Sequence, residues 1–133
     1  MKIWCQSCGA FGRDLVWDAY EQTLKQHVRK IARSDTLVEL HGVDATIPGS
    51  GRYRASRGIC EFQSVRNAIR AEREGYDAFV TVSAPDVGFD IIREVVDIPT
   101  VFMLENAIHF ALMFAPRFAF LSHNDGLLLR LEE

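Results

Sequence analysis

The sequence lacks four things, and each absence removes a class of function. No apolar stretch is long enough for a bilayer, which asks for about 20 consecutive residues. The richest run, 98–121, is broken by Pro99, Glu105, Asn106, His109, Pro116 and Arg117. Basic charge is not in excess: 15 Lys and Arg stand against 18 Asp and Glu, a net of −3. That excludes a general nucleic-acid or membrane-surface binder, which carries a basic patch. The cysteines number three, an odd count that fits no secreted disulfide framework. The opening residues, Met1-Lys2-Ile3-Trp4-Cys5-Gln6, run into a polar turn without the apolar core of a signal peptide. The expectation is a cytoplasmic protein with no nucleic-acid or membrane partner.

Nucleotide and metal signatures are also missing. Gly9-Ala10-Phe11-Gly12 lacks the third glycine and the spacing of a dinucleotide fingerprint, and there is no Walker A lysine motif. Cys5-Gln6-Ser7-Cys8 has CxxC spacing, but Cys5 falls inside a predicted strand rather than at a helix N-terminus, where a thiolate is stabilised. No second CxxC supplies the remaining zinc ligands. Cys5 is read as a core residue, Cys8 as a loop residue and Cys60 as structural. Neither metal nor cofactor is expected, and a CxxC redox or metal module is the weakest reading.

What is present is ordinary globular material: 133 residues, 48% hydrophobic and 25% charged. That length suits one domain. A short buried strand is predicted over 2–7, followed by a turn at Gly9 and Gly12. Asp14 caps a helix reaching about Arg33, with Leu15, Trp17, Tyr20, Leu24, Val28 and Ile31 on one face. A second strand is predicted over 36–42. Residues 44–57, with Pro48, Gly49, Ser50, Gly51 and three arginines, read as a long loop. Ile59, Phe62, Val65 and Ile69 mark a second helix ending at Gly75. The continuous apolar run 78–82 reads as a central parallel strand covered on both faces. A short helix over 88–96 burying Ile91, Ile92 and Val95, a strand over 99–104, a helix over 106–115 and a fifth strand over 118–122 follow. A further helix is expected over 125–133.

Strands alternate with helices throughout, which predicts an α/β three-layer sandwich on a mostly parallel sheet of four to five strands. Ligands in such sheets bind beyond the carboxyl ends of the strands. The residues there are Gln6, Ser7 and Cys8, then His41 and Asp44, then Ser83 and Asp86, then Glu105 and Asn106, and finally Ser122, His123 and Asn124. The segment 83–88, Ser-Ala-Pro-Asp-Val-Gly, leads into a helix whose start can bind a carboxylate, with Ser83 at its edge. His109, a turn inside its helix, reads as a packing residue.

Several blocks carry a family likeness: Met1-Lys2-Ile3-Trp4 with Gln6-Ser7, Glu72-Arg73-Glu74-Gly75-Tyr76-Asp77-Ala78-Phe79, Arg93-Glu94-Val95-Val96-Asp97-Ile98-Pro99, Glu105-Asn106-Ala107-Ile108-His109 and Arg117-Phe118-Ala119-Phe120. In this order they resemble the Asp/Glu/hydantoin racemase superfamily over essentially the whole chain. The resemblance implies two similar flavodoxin-like α/β lobes and a cofactor-independent racemisation or isomerisation between them. One cysteine from each lobe faces the α-carbon of a small carboxylate or hydantoin-like substrate. It assigns substrate contacts to Gln6, Ser7, Ala84, Asp86, Gly88, Glu105, Asn106 and Ser122.

Two departures stand out. Where the resemblance implies the first-lobe cysteine, the chain has Ser83, and a hydroxyl cannot act as an equivalent base unaided. Cys8, near the same rim, is the candidate replacement. The chain also reads as one lobe, 1–133, with 117–133 as the start of a missing second lobe. The expectation is a racemase-family protein, impaired or dependent on a partner. That partner is a second copy or a separately encoded second lobe. The alternative is a non-catalytic carboxylate-binding or remnant lobe.

Overall fold

The computed structural model describes residues 1–84 and 86–122. Nine segments of regular structure follow in the order β1 (Lys2–Gln6), a 3-10 turn (Leu15–Trp17), α1 (Asp18–Ile31), β2 (Leu37–His41), α2 (Arg54–Arg73), β3 (Ala78–Thr81), α3 (Phe89–Val95), β4 (Thr100–Phe102) and α4 (Met103–Phe114). The four strands form one sheet in the order β2-β1-β3-β4, and every pair is parallel. This is the expected α/β sheet of flavodoxin-like type. The helix predicted over 125–133 lies outside the described residues, as do His123 and Asn124.

Side chains alternate across the strands, so register decides what each face carries. Trp4 and Gln6 of β1 lie beside Glu39 and His41 of β2 and beside Phe79 and Thr81 of β3. This face packs on α2 and α3. Its core joins Trp4, Phe79 and Phe102 of the sheet to Ala68, Ala71, Tyr76, Ile92 and Val96. The Trp4 ring also stacks on the His41 ring, 3.4 Å between centroids. A second, smaller cluster of Ala10, Val43, Cys60 and Val87 lies beyond the carboxyl ends of the strands.

The buried stripe of α2 differs from the one expected. Ser64, Ala68 and Ala71 are buried toward the sheet and Cys60 in the smaller cluster; of the expected residues, Val65 and Ile69 pack against the core, whereas Ile59 and Phe62 are exposed. The sheet already carries large rings on this side, so only small residues let the helix approach. Helix α3 likewise buries Ile92 alone, with Ile91 and Val95 exposed. Of the apolar face expected over the 3-10 turn and α1, Leu15, Tyr20 and Ile31 are exposed, and Trp17, Leu24 and Val28 are half-buried.

Three boundaries moved as well. Helix α2 begins at Arg54, inside the expected loop. Helix α4 begins at Met103, three residues before the Asn106 start expected, and cuts β4 short at Phe102. Residues 118–122 form no strand, because β4 pairs only with β3 among the described residues and no ladder reaches the tail. No helix among the described residues is long and apolar enough to cross a membrane.

Candidate functional site

A cleft of about 330 Å³ opens beyond the carboxyl ends of β1 and β3. Its floor is Ser7, Cys8 and Gly9 after β1, and one wall is Val82, Ser83, Ala84 and Val87 after β3. Trp17 and Tyr20 close a second side, Ser50 and Gly51 a third, and Arg57, Cys60 and Met103 complete it.

Local hydrogen bonds hold this floor. The Ser7 N–H donates to the His41 carbonyl at 2.8 Å, and the Val43 N–H to the Gly9 carbonyl at 3.1 Å, so the β1 and β2 loops run together. A β-carbon on Gly42 would run into the Gly9 carbonyl oxygen, so only glycine allows this approach. Ser7 Oγ accepts from the Gly9 N–H at 3.1 Å. The loop that carries Ser50 is tied down at its start: Trp17 Nε1 donates to Thr46 Oγ1 at 2.8 Å, and that hydroxyl donates to Asp14 at 2.5 Å. Asp14 also caps the 3-10 turn through the Val16 N–H, as its position in the sequence predicts.

Ser83 and Cys8 are direct neighbours. The Cys8 N–H donates to Ser83 Oγ at 2.9 Å. Cys8 also packs against the cluster that contains Cys60, and both cysteines line the cleft with Ser50. Hydrogen bonds from Cys8 and Ser50 hold Cys60 down to about 7 against the opposing effect of burial. Cys8 is pushed up, first by its bond to Cys60 and then by burial. Burial alone pushes Cys5, on the opposite face of β1 from Gln6, up to about 12. Burial also raises the Tyr20 phenol, whose hydroxyl donates to the Val82 carbonyl at 3.4 Å.

Of the residues expected at the site, Ser7, Cys8, Ser83 and Ala84 line the cleft. The others lie elsewhere. Gln6 is buried under α2, where its carbonyl oxygen accepts from Trp4 Nε1 at 2.9 Å and Asn67 Nδ2 at 3.0 Å while its amide donates to the Ser7 carbonyl at 2.8 Å. Both oxygens of Asp86 cap α4, accepting from the Leu104 N–H at 2.8 Å and the Glu105 N–H at 2.7 Å. Gly88 sits at φ +80°, where a β-carbon would meet Ile92 Cδ1 at 2.9 Å. Glu105 makes a bidentate ion pair with Arg93 at 2.6 and 3.0 Å, which holds its carboxyl below the usual range. Asn106 bonds the Phe102 carbonyl at 2.8 Å, and Ser122 lies in the tail beyond α4.

Cys60, read from the sequence as structural, is buried at 1% exposed and also lines the cleft. Tyr20 and Arg57 were likewise not picked out, because nothing local marks them; the fold brings α1 and α2 to the same rim. No cluster of three or more His, Cys, Asp or Glu arranged for a metal occurs among the described residues.

No family model matches the chain. It is similar to a hydantoin racemase from Pseudomonas sp. (strain NS671), 31% identical over 105 residues, or 76% of this chain and 40% of that protein. The chain therefore spans well under two thirds of that relative's length. Together with an all-parallel α/β sheet whose cleft opens beyond its strand ends, this likeness supports a relationship to the racemases.

Proposed function

We propose that the cleft removes the α-proton of a small carboxylate, an amino acid or a hydantoin-like derivative, as the first half of a cofactor-independent racemisation or isomerisation. The carrying observation is the contact between Ser83 and Cys8. Ser83 occupies the position at which the resemblance implies a cysteine, its Oγ accepts from the Cys8 N–H, and both residues line the cleft. Cys8 is the base and Ser83 orients it. Ser7, Ala84 and backbone amides of the floor contact the substrate, and Arg57 brings positive charge to its carboxylate. A developing negative charge on the α-carbon is stabilised by such prearranged donors. Gln6, Asp86, Gly88, Glu105 and Asn106 support the site from behind.

The activity is weak in the isolated chain. The Cys8 thiol is pushed up by its surroundings, and the acid for the opposite face of the substrate comes from a second body, another copy or a separate lobe. Solvent-deuterium exchange at the α-carbon, followed by NMR over a panel of amino acids and 5-substituted hydantoins, tests the reading. Cys8→Ala is expected to slow exchange by about 10²-fold or more. Ser83→Cys is expected to raise it, since a thiol is a far better base precursor than a hydroxyl. Exchange that is unchanged in Cys8→Ala, or absent from wild type with every substrate, overturns the proposal.

A further inference from the structure

A concavity larger than the cleft, about 430 Å³, lies along the second half of α2. The first half of that helix gives Arg57 and Cys60 to the cleft. The second half gives Gln63, Arg66, Asn67, Arg70 and Arg73 to this groove, and Asp44 borders it from the loop after β2. The two hollows share no lining residue. These helix residues recur three and four apart, so they lie on one face. A smaller hollow of about 160 Å³ adjoins the groove, sharing Asp44, Asn67 and Arg70 with it.

The wall is fixed by hydrogen bonds. Asn67 Nδ2 donates to Gln6 Oε1 at 3.0 Å and to the Gly42 carbonyl at 3.2 Å. Gln63 Oε1 accepts from the Asp44 N–H at 2.7 Å, which leaves the Gln63 amide group as a further donor. The charges are unbalanced. Asp44 pairs with Arg13 at 3.6 Å, and Glu74 pairs with Arg70 at 2.6 Å. Among the described residues, neither Arg66 nor Arg73 has an ion-pair partner. Arg66 and Arg70 are four apart and Arg70 and Arg73 three apart, spacings at which like charges repel on a helix. Arg70 and Arg73 lie in the last turn, where cations complement the helix dipole. Arg66 lies before that turn, beyond the reach of the effect. The chain as a whole carries a net charge of −3, so this concentration of guanidinium groups runs against its overall balance.

We infer that the groove binds a small anion carrying at least two acidic groups, carboxylates or phosphates. The helix rise sets Arg66 and Arg70 about 6 Å apart along the axis, and Arg66 and Arg73 about 10 Å apart. Two acidic groups on one small molecule thus meet two guanidiniums at once. Guanidinium forks suit both carboxylate and phosphate oxygens. The Gln63 amide adds a neutral donor, and the neighbouring hollow leaves room for the remainder of the molecule. The site is separate from the cleft and does not depend on the racemase reading.

Calorimetric titration with citrate and with pyrophosphate tests the inference, each against sodium chloride at matched ionic strength. Saturable binding of one or both is expected, together with a rise in melting temperature. Binding of citrate alone assigns the site to carboxylates, and binding of pyrophosphate alone to phosphates. The double variant Arg66→Ala/Arg73→Ala, its folding checked by circular dichroism, is expected to weaken binding at least about tenfold. Arg29→Ala/Lys30→Ala removes the same charge from α1 and is expected to leave binding unchanged. In NMR spectra of the wild type, the bound anion is expected to shift the side-chain amide signals of Gln63 and Asn67. No binding beyond that of chloride overturns the inference. So does an equal loss in the two double variants, which would mark diffuse charge attraction. Bound anion that leaves the Gln63 and Asn67 signals in place also overturns it.

Discussion

Gln6 and Thr81 sit side by side on the same face of the sheet, both buried, and they differ in one respect. The Gln6 amide is bonded at both ends, to Trp4, Asn67 and the Ser7 carbonyl. The Thr81 hydroxyl has no hydrogen-bond partner among the described residues. An unsatisfied buried hydroxyl costs about 1–3 kcal/mol, and removing it with an isosteric methyl recovers part of that. Thr81→Val is therefore expected to raise stability by about 1 kcal/mol, read as a higher denaturation midpoint with unchanged slope. A lower midpoint would show that the hydroxyl has a partner. Gln6 also marks a limit of reading residues one at a time. At the end of a strand it looks like a ligand contact, but it shares its parity with Trp4, whose bulk belongs to the α2 face. Parity along β1 was available in the sequence; which face would receive α2 was not.

At the scale of elements, the start of α4 is set by a residue far from it in the chain. Asp86, buried and at φ +34°, accepts two amides of the first turn of α4. Asp86→Ala leaves both amides unsatisfied and is expected to cost about 2 kcal/mol or more. The loss would appear as a lower melting temperature together with a fall in helix signal. A cost below about 0.5 kcal/mol would show that water replaces the carboxylate fully. This long-range cap is why the sequence placed the helix start at Asn106, three residues late. Local periodicity identified α1, α2, α3 and α4 and all four strands, because burial on the sheet imposes those periods. It missed which stripe of α2 is buried, since small residues such as Ser64, Ala68 and Ala71 carry little hydrophobic signal. It did not place Cys60 at the cleft for the same reason: a cysteine among helix positions meets the β1 loop only in the folded chain.

At the scale of the whole molecule, α4 and the β4 edge present exposed apolar side chains. Phe110, Met113 and Phe114 are 62%, 78% and 75% exposed, and the two phenylalanine rings pack edge to face at 5.0 Å. Val101 of β4 and Leu121 of the tail are exposed nearby in sequence. An apolar face of this kind favours association with a second copy or a separate lobe. Sedimentation velocity over rising concentration is expected to show a dimer or larger species. Replacing Phe110 and Phe114 by serine is expected to weaken it by at least about tenfold, given the value of a buried phenylalanine. A monomer at every concentration would remove the self-association. The sheet class and the alternation of elements were legible from the sequence, while 118–122, read as a strand, had no ladder to join.

The Asp86 cap has a mechanical meaning at this scale. The same short turn carries Ser83, whose Oγ accepts from the Cys8 N–H, and Asp86, which caps the helix bearing the apolar face. Met103, the first residue of that helix, lines the cleft. The helix with the apolar face and the floor beside Cys8 are thus fastened to one turn, and the Asp86 carboxylate is the fastening on the helix side.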